Sequence, residues 1–252
     1  MFLWATDLHL NYFEENYIKS FGKNLLKEYN PNSLIISGDI SLGNKLESNL
    51  KTLSNAIQVP IYYVLGNHDY WYSSLDKVNK IVNDLESNFI INLNNKIIKI
   101  NENTAMLGFD GWYDCQYGII DSEIKMNDWI KIEDFKNKDP ILFSKQLSES
   151  YLNFKNLSLI AKESGFINQL IITHIPPFKE LIIEKELPFY GSKISGDMLL
   201  SLDLNKIVCL SGHTHNKAEY YLNNIKSYVG EACRGKPSVC GKVSFNLDVE
   251  LF

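Results

Sequence analysis

Three times in the first 87 residues, a short apolar run is followed by a segment with helical apolar spacing. The runs are Phe2 to Thr6, Ser33 to Ser37, and Ile61 to Leu65. The first helical segment, Glu14 to Tyr29, carries Tyr17, Ile18, Phe21, Leu25 and Leu26, and Asn30-Pro31-Asn32 stops it. The second has Leu46, Leu50, Leu53 and Ile57, and the third has Leu75, Val78, Ile81, Val82 and Leu85. Repeated strand-helix units require crossover connections, so the pattern predicts a parallel sheet and an α/β fold. In such sheets ligands gather at the carboxyl ends of strands. Each of the three runs ends there in a polar cluster: Asp7-Leu8-His9, Gly38-Asp39 and Gly66-Asn67-His68-Asp69.

From Phe89 the texture changes. Phe89 to Leu93, Lys96 to Ile100 and Thr104 to Phe109 read as short strands between Asn-rich turns, continuing the sheet or opening a second one. The stretch around 112–139 is polar and aromatic-dotted, which suggests a long loop or short helices facing substrate. Ile141 to Glu163 reads as one helix. Gln169 to Thr173 is a further strand, ending at His174. A second irregular insertion spans 178–195, and Asp197 to Leu202 reads as a short helix. Lys206 to Leu210 is a strand ending at Ser211-Gly212-His213-Thr214-His215. Glu219 to Leu222 and Ile225 to Val229 form a hairpin around Asn223-Asn224, and Val243 to Leu251 is strand-like. No linker or repeat divides the chain, so residues 1–252 are expected to form one domain.

Composition narrows the function classes. With 45% hydrophobic and 22% charged residues the chain is globular with a sizeable core. A net charge of −5 disfavours nucleic acid as a partner. Arg234 is the single arginine, so only one bidentate phosphate clamp is available. The spacing of Cys115, Cys209, Cys233 and Cys240 fits no zinc module and reads as free thiols in a reducing cytoplasm. No apolar run reaches about 18 residues, so no membrane span is expected. Because Phe2-Leu3-Trp4-Ala5 leads straight into Asp7, a signal peptide is not expected either.

All five histidines fall at strand ends, together with Asp7, Asp39 and Asn67. Imidazole, carboxylate and amide donors without thiolate suit zinc, iron or manganese. They are too many for one ion. Two ions need a bridging carboxylate, which points to a dinuclear site.

Asp7-Leu8-His9, Gly38-Asp39, Gly66-Asn67-His68-Asp69, His174 and Gly212-His213-Thr214-His215 resemble the five blocks of the calcineurin-like metallophosphoesterase superfamily, in that family's order. The resemblance implies a four-layer α/β/β/α sandwich of two mixed sheets flanked by helices. It implies that Asp7, His9 and His215 hold one metal ion, that Asn67, His174 and His213 hold a second, and that Asp39 bridges them. The ions would be divalent or mixed-valence manganese, iron or zinc. A hydroxide bridging them would attack phosphorus, and His68 would assist the leaving oxygen. Asp69 would support a ligand rather than orient His68. The expected substrate is a small phosphodiester, with phosphomonoesters second. The second Asp and the Arg that the phosphoprotein phosphatases carry after Gly-Asp are missing from Gly38-Asp39-Ile40-Ser41-Leu42-Gly43-Asn44, which lowers the odds of that branch.

Candidate substrate contacts are Asn44, Asp110, Trp112, Tyr113, Tyr190 and Arg234. For Asn44 a helix cap is an equal alternative. For Trp112 and Tyr113 edge packing competes with stacking on a base or sugar. Two competing readings of the whole chain are a nuclease of the same superfamily and a non-catalytic scaffold. Neither oligomeric state nor metal identity is fixed by sequence.

Overall fold

The computed structural model describes residues 1–120, 125–183, 187–233 and 235–252. Arg234 lies outside the described residues. Among the described residues two six-stranded sheets carry the chain. The first contains β1 (Phe2–Ala5), β2 (Ser33–Ser37), β3 (Ile61–Val64) and β4 (Ile90–Asn92), all parallel, as the strand-helix repeats require. The second contains β5 (Ile98–Asn101), β6 (Thr104–Gly108), β7 (Asn168–Ile172), β8 (Lys206–Ser211), β9 (Ala218–Leu222) and β10 (Ile225–Val229). Within it β6, β7, β8 and β10 are parallel, and β5 and β9 run antiparallel at the edges. The last two strands, β11 (Gly241–Val243) and β12 (Val249–Leu251), return to the first sheet beside β1.

Helices α1 (Glu15–Tyr29), α2 (Leu46–Ile57) and α3 (Leu75–Leu85) cover the outside of the first sheet. Beyond them lie α4 (Asn127–Lys131), α5 (Pro140–Ser150), α6 (Phe154–Glu163), α7 (Leu187–Tyr190) and α8 (Lys193–Leu200). Strand alternation sorts side chains into layers. Leu3, Leu34, Ile36 and Tyr63 face α1 to α3, whereas Trp4, Ile35 and Val64 face Met106, Leu170, Ile172 and Val208 of the second sheet. On the far side Leu107, Ile171 and Cys209 meet Phe154, Ala161 and Leu199 of α6 and α8. Both faces of both sheets are therefore apolar, which explains the unbroken apolar runs in the central strands. The result is the expected four-layer sandwich.

Several boundaries differ from the sequence reading. The helix expected over Ile141 to Glu163 is two helices with a 3-10 turn at Tyr151–Asn153. The break lets Phe143 of α5 serve the core over the first sheet while Phe154 and Ala161 of α6 serve the core over the second. The helix expected at Asp197 begins at Lys193, because Ser192 accepts a hydrogen bond from the Ser195 amide and caps it. Val243 to Leu251 is a hairpin whose turn is closed by Ser244 and Asp248, with Leu247 at φ 64°. The hairpin at Asn223-Asn224 is present, with Leu222 opposite Ile225. All four cysteines are free thiols. Among the described residues no helix is long and apolar enough to cross a membrane.

Candidate metal centre

Eight polar residues from five parallel strands meet at one end of the two sheets. Asp7 and His9 follow β1, Asp39 follows β2, and Asn67 and His68 follow β3. His174 follows β7, and His213 and His215 follow β8. Five of them, Asp7, His9, Asp39, His213 and His215, hold left-handed backbone angles with φ between 43° and 70°. Non-glycine residues rarely adopt that region, at a cost on the order of 1 kcal/mol or more each. Cross-loop hydrogen bonds hold them there. The Asp7 and His9 amides donate to the carbonyls of Gly38 and Asp39, both at 3.0 Å, and the His213 amide donates to the Asp7 carboxylate across the two sheets. The turns also need glycine: a Cβ on Gly212 would stand 1.9 Å from Thr6 Oγ1, and one on Gly66 would stand 2.2 Å from Asp39 Oδ1.

One candidate set is Asp7, His9, Asp39 and His215, whose donor atoms all lie within 4.8 Å of one another. His9 Nε2 is 3.3 Å from His215 Nε2, and His215 Nε2 is 3.2 Å from Asp7 Oδ1. A second group of donor atoms gathers around His174. His174 Nδ1 lies 2.8 Å from the Ser37 carbonyl, which only accepts, so the proton sits on Nδ1 and Nε2 presents a lone pair. That lone pair faces Asn67 Oδ1 at 3.1 Å and Asp39 Oδ1 at 3.4 Å. Asn67 cannot turn its amide round, because its Nδ2 donates to Asp128 Oδ1 at 2.8 Å. His174 Nε2, Asn67 Oδ1 and Asp39 Oδ1 thus converge, an arrangement of lone-pair atoms that a bound cation stabilises. His213 Nε2 donates to the Phe189 carbonyl at 3.0 Å, which leaves the lone pair on its Nδ1. The residues present therefore fit a metal pair.

Asp39 stands between the sets. Its Oδ1 faces His174, and its Oδ2 is 3.9 Å from His9 Nε2 and 3.8 Å from His68 Nε2. Burial, then the nearby carboxylates of Asp7 and Asp69, push its carboxyl well above the ordinary range. Burial also tends to raise Asp7, but the His215 hydrogen bond and the surrounding imidazoles outweigh it and hold Asp7 low. Burial drives His213 down to about 3, and lowers His174 and His68 as well. Neutral imidazoles and crowded carboxylates together form an acceptor-rich site.

His68 is the most accessible of the ring donors, with its side chain 22% exposed against 7% for His9 and 20% for His215. Its amide donates to Asp39 Oδ1, and its ring stacks on Trp71 with centroids 3.5 Å apart. The Asp69 hydrogen bonds go to backbone amides rather than to the His68 ring. Asp69 accepts from the amides of Ile40, Ser41 and Gly66, and so ties the loop carrying Asp39 to the loop carrying Asn67. Burial pushes its carboxyl up to about 7 against the pull of those three amides.

The other sequence candidates scatter. Asp110 is not at the mouth: it is buried and accepts from the Leu65 amide, Tyr70 Oη and Asn94 Nδ2. Trp112 is also buried, packed against Tyr70, Tyr113 and Phe135, so it is not available to stack on a base. Tyr113 is fully buried, with Oη donating to Asp128 and its ring beside His213. Tyr190 is half-buried, with its ring 4.8 Å from His213. Asn44 lies on an exposed turn before α2, where Lys45 occupies the cap position.

Three residues at the site escaped the sequence reading. Asp128 on α4 is buried and accepts from Asn67, Trp71 and Tyr113. Trp71 supports His68 and donates to Asp128. Tyr12 is 66% exposed with its ring 6.1 Å from that of His9. Trp71 was readable as the third residue after His68. Asp128 sits in a segment with no periodicity to flag it.

Solved structures share this fold at low identity. The phosphopantetheinyl hydrolase of Mycobacterium tuberculosis aligns with a TM-score of 0.65 and 13% identity, over 92% of this chain and 88% of that one. A dimetal phosphatase from Danio rerio aligns at 0.62 and 13%, over 91% and 86%. GAP50, described as the anchor in the inner membrane complex of Plasmodium, aligns at 0.52 and 13%, over 90% and 70%. No curated protein matches the sequence. The calcineurin-like phosphoesterase family model matches residues 1–217, most of the chain and every block that carries the site. The chain therefore belongs to the calcineurin-like phosphoesterase family, whose chemistry is metal-dependent hydrolysis of phosphoesters.

Proposed function

We propose that this protein is a dinuclear-metal phosphoesterase that prefers small phosphodiesters. The carrying observation is Asp39, whose two oxygens face different donor sets. Asp7, His9 and His215 with Asp39 would hold one ion. Asn67, His174 and His213 with Asp39 would hold the other. A bound pair supplies charge neutralisation at the phosphoryl oxygens and an acidified water. The remaining work falls to the chain. Cross-loop hydrogen bonds and Asp69 hold the two ligand loops in register. Asp128 fixes the Asn67 amide so that its oxygen points inward. His68, stacked on Trp71 and partly exposed, gives a proton or hydrogen bond to the leaving oxygen.

The preference for diesters rests on charge. A monoester dianion carries about one charge more than a diester, and the chain has a single arginine to meet it. Tyr190 beside His213 and Tyr12 beside His9 are the aromatic surfaces toward which a substrate group would lie.

The test is to strip the protein of metal and add back manganese, iron or zinc. Hydrolysis of bis-p-nitrophenyl phosphate is then compared with that of p-nitrophenyl phosphate. Metal-dependent cleavage favouring the diester supports the proposal. Preference for the monoester overturns the substrate assignment. Two bound metals with no hydrolysis of either would support a scaffold instead. Cleavage of single-stranded DNA at rates matching the small diester would make the protein a nuclease.

A further inference from the structure

The fold also holds a polar cavity outside the histidine cluster. Its volume is about 840 Å³, and it sits among α3, the turn after β4, and the junction of α5 with α6. None of the eight site residues lines it. We infer that this cavity binds a neutral, polyhydroxylated small molecule of sugar or nucleoside size.

The lining is rich in amides. Asn79 and Asn83 lie one turn apart on α3, Asn92 and Asn94 stand at the end of β4, and Asn153 faces them from the α5–α6 junction. Each amide offers donors and an acceptor without charge, the pattern that matches hydroxyl groups. The charged groups are already paired. Glu86 and Lys96 form an ion pair at 2.5 Å, and Asp110 accepts three hydrogen bonds from the protein. Tyr70, Tyr151, Phe109 and Phe154 supply the apolar surface against which the C–H face of a sugar packs.

One wall residue carries an unmet polar atom. Asn92 is only 4% exposed, and its Nδ2 has no hydrogen-bond partner among the described residues. Its Oδ1 accepts from the Asn94 amide at 3.0 Å, which fixes the side chain within the cavity wall. Unmet buried polar atoms are rare in folded proteins. The space is far larger than one water needs and falls within the size range of small-molecule sites.

The test is an NMR titration of the full-length protein as purified, following backbone and asparagine side-chain amides. The probes are D-ribose, D-glucose, N-acetyl-D-glucosamine and adenosine at low-millimolar concentration, with inorganic phosphate as the charged comparison. At least one neutral probe is expected to shift the Asn92 Nδ2 and α3 asparagine signals saturably. The double variant Asn79→Leu/Asn83→Leu should weaken that binding by about tenfold or more, the loss of one or two good hydrogen bonds. Both positions are exposed on α3, and Asn153→Leu tests the same site from the opposite wall. The inference is overturned if no neutral probe moves these signals, if the shifts survive in both variants, or if only phosphate moves them. None of these readouts depends on metal content or ester hydrolysis, so this inference and the proposed activity fail separately.

Discussion

Replacing Asp128 with Asn tests whether the second donor set is built from behind. Asp128 Oδ1 accepts from Asn67 Nδ2 at 2.8 Å and from Trp71 Nε1 at 2.6 Å, and Oδ2 accepts from Tyr113 Oη at 3.0 Å. All four side chains are buried. Asparagine keeps the shape but removes the charge, so both bonds at Oδ1 weaken and the new NH₂ must find an acceptor in Tyr113 Oη. Hydrogen bonds to charged groups are worth about 1.5–3 kcal/mol each, and neutral ones about 0.5–1.5. The net loss is therefore about 1–3 kcal/mol, which frees the Asn67 amide to rotate. Metal affinity at the set Asn67, His174 and His213 should fall about 10–100-fold, as for other supporting groups behind a ligand. The set Asp7, His9 and His215 should keep its affinity, since Asp128 touches none of those side chains. Calorimetric titration of the apo-protein with manganese, with metal analysis after dialysis, reads both sites. Unchanged affinity at both sites, or equal loss at both, would refute the reasoning. Asp128→Ala leaves all three donors unmet and should lower stability more than Asn does, as read by thermal melting.

His68→Ala should retain both metals and lose about 10²–10⁴ in turnover, the range of an acid–base group, measured by metal analysis beside diester hydrolysis. Loss of a metal in that variant would make His68 a ligand. Asp39→Asn should weaken both ions together, because each oxygen serves a different set; a titration showing only one site weakened would remove the bridging role. Asp69→Ala strips acceptors from three buried amides. At about 1–3 kcal/mol per unmet group the loss is roughly 3 kcal/mol or more, so the melting midpoint should fall by about 6–12 °C. A fall of under about 2 °C would show that solvent reaches those amides.

Local chemistry was legible in the sequence wherever one strand end carried it. Apolar runs followed by amphipathic segments specified β1 to β3 and the helices between them. Each cluster, from Asp7-Leu8-His9 to Gly212-His213-Thr214-His215, sits within a few residues of its strand, so its position at the sheet end follows from chain connectivity. What the sequence could not show depends on partners distant along the chain. Asp110 looked like a mouth residue because it follows β6, yet it serves as an anchor for Leu65, Tyr70 and Asn94. Asp128 lies 61 residues from Asn67 and is placed by α4 packing, which no periodicity announced. The break between α5 and α6 exists because Phe143 and Phe154 enter different cores, a demand visible only once both sheets are stacked. The ring nitrogens that face inward were also undetermined by sequence. Carbonyls from Ser37 and Phe189, brought in by other segments, select them. Residue type and strand position thus set which donors gather, and tertiary contacts set which way each donor points.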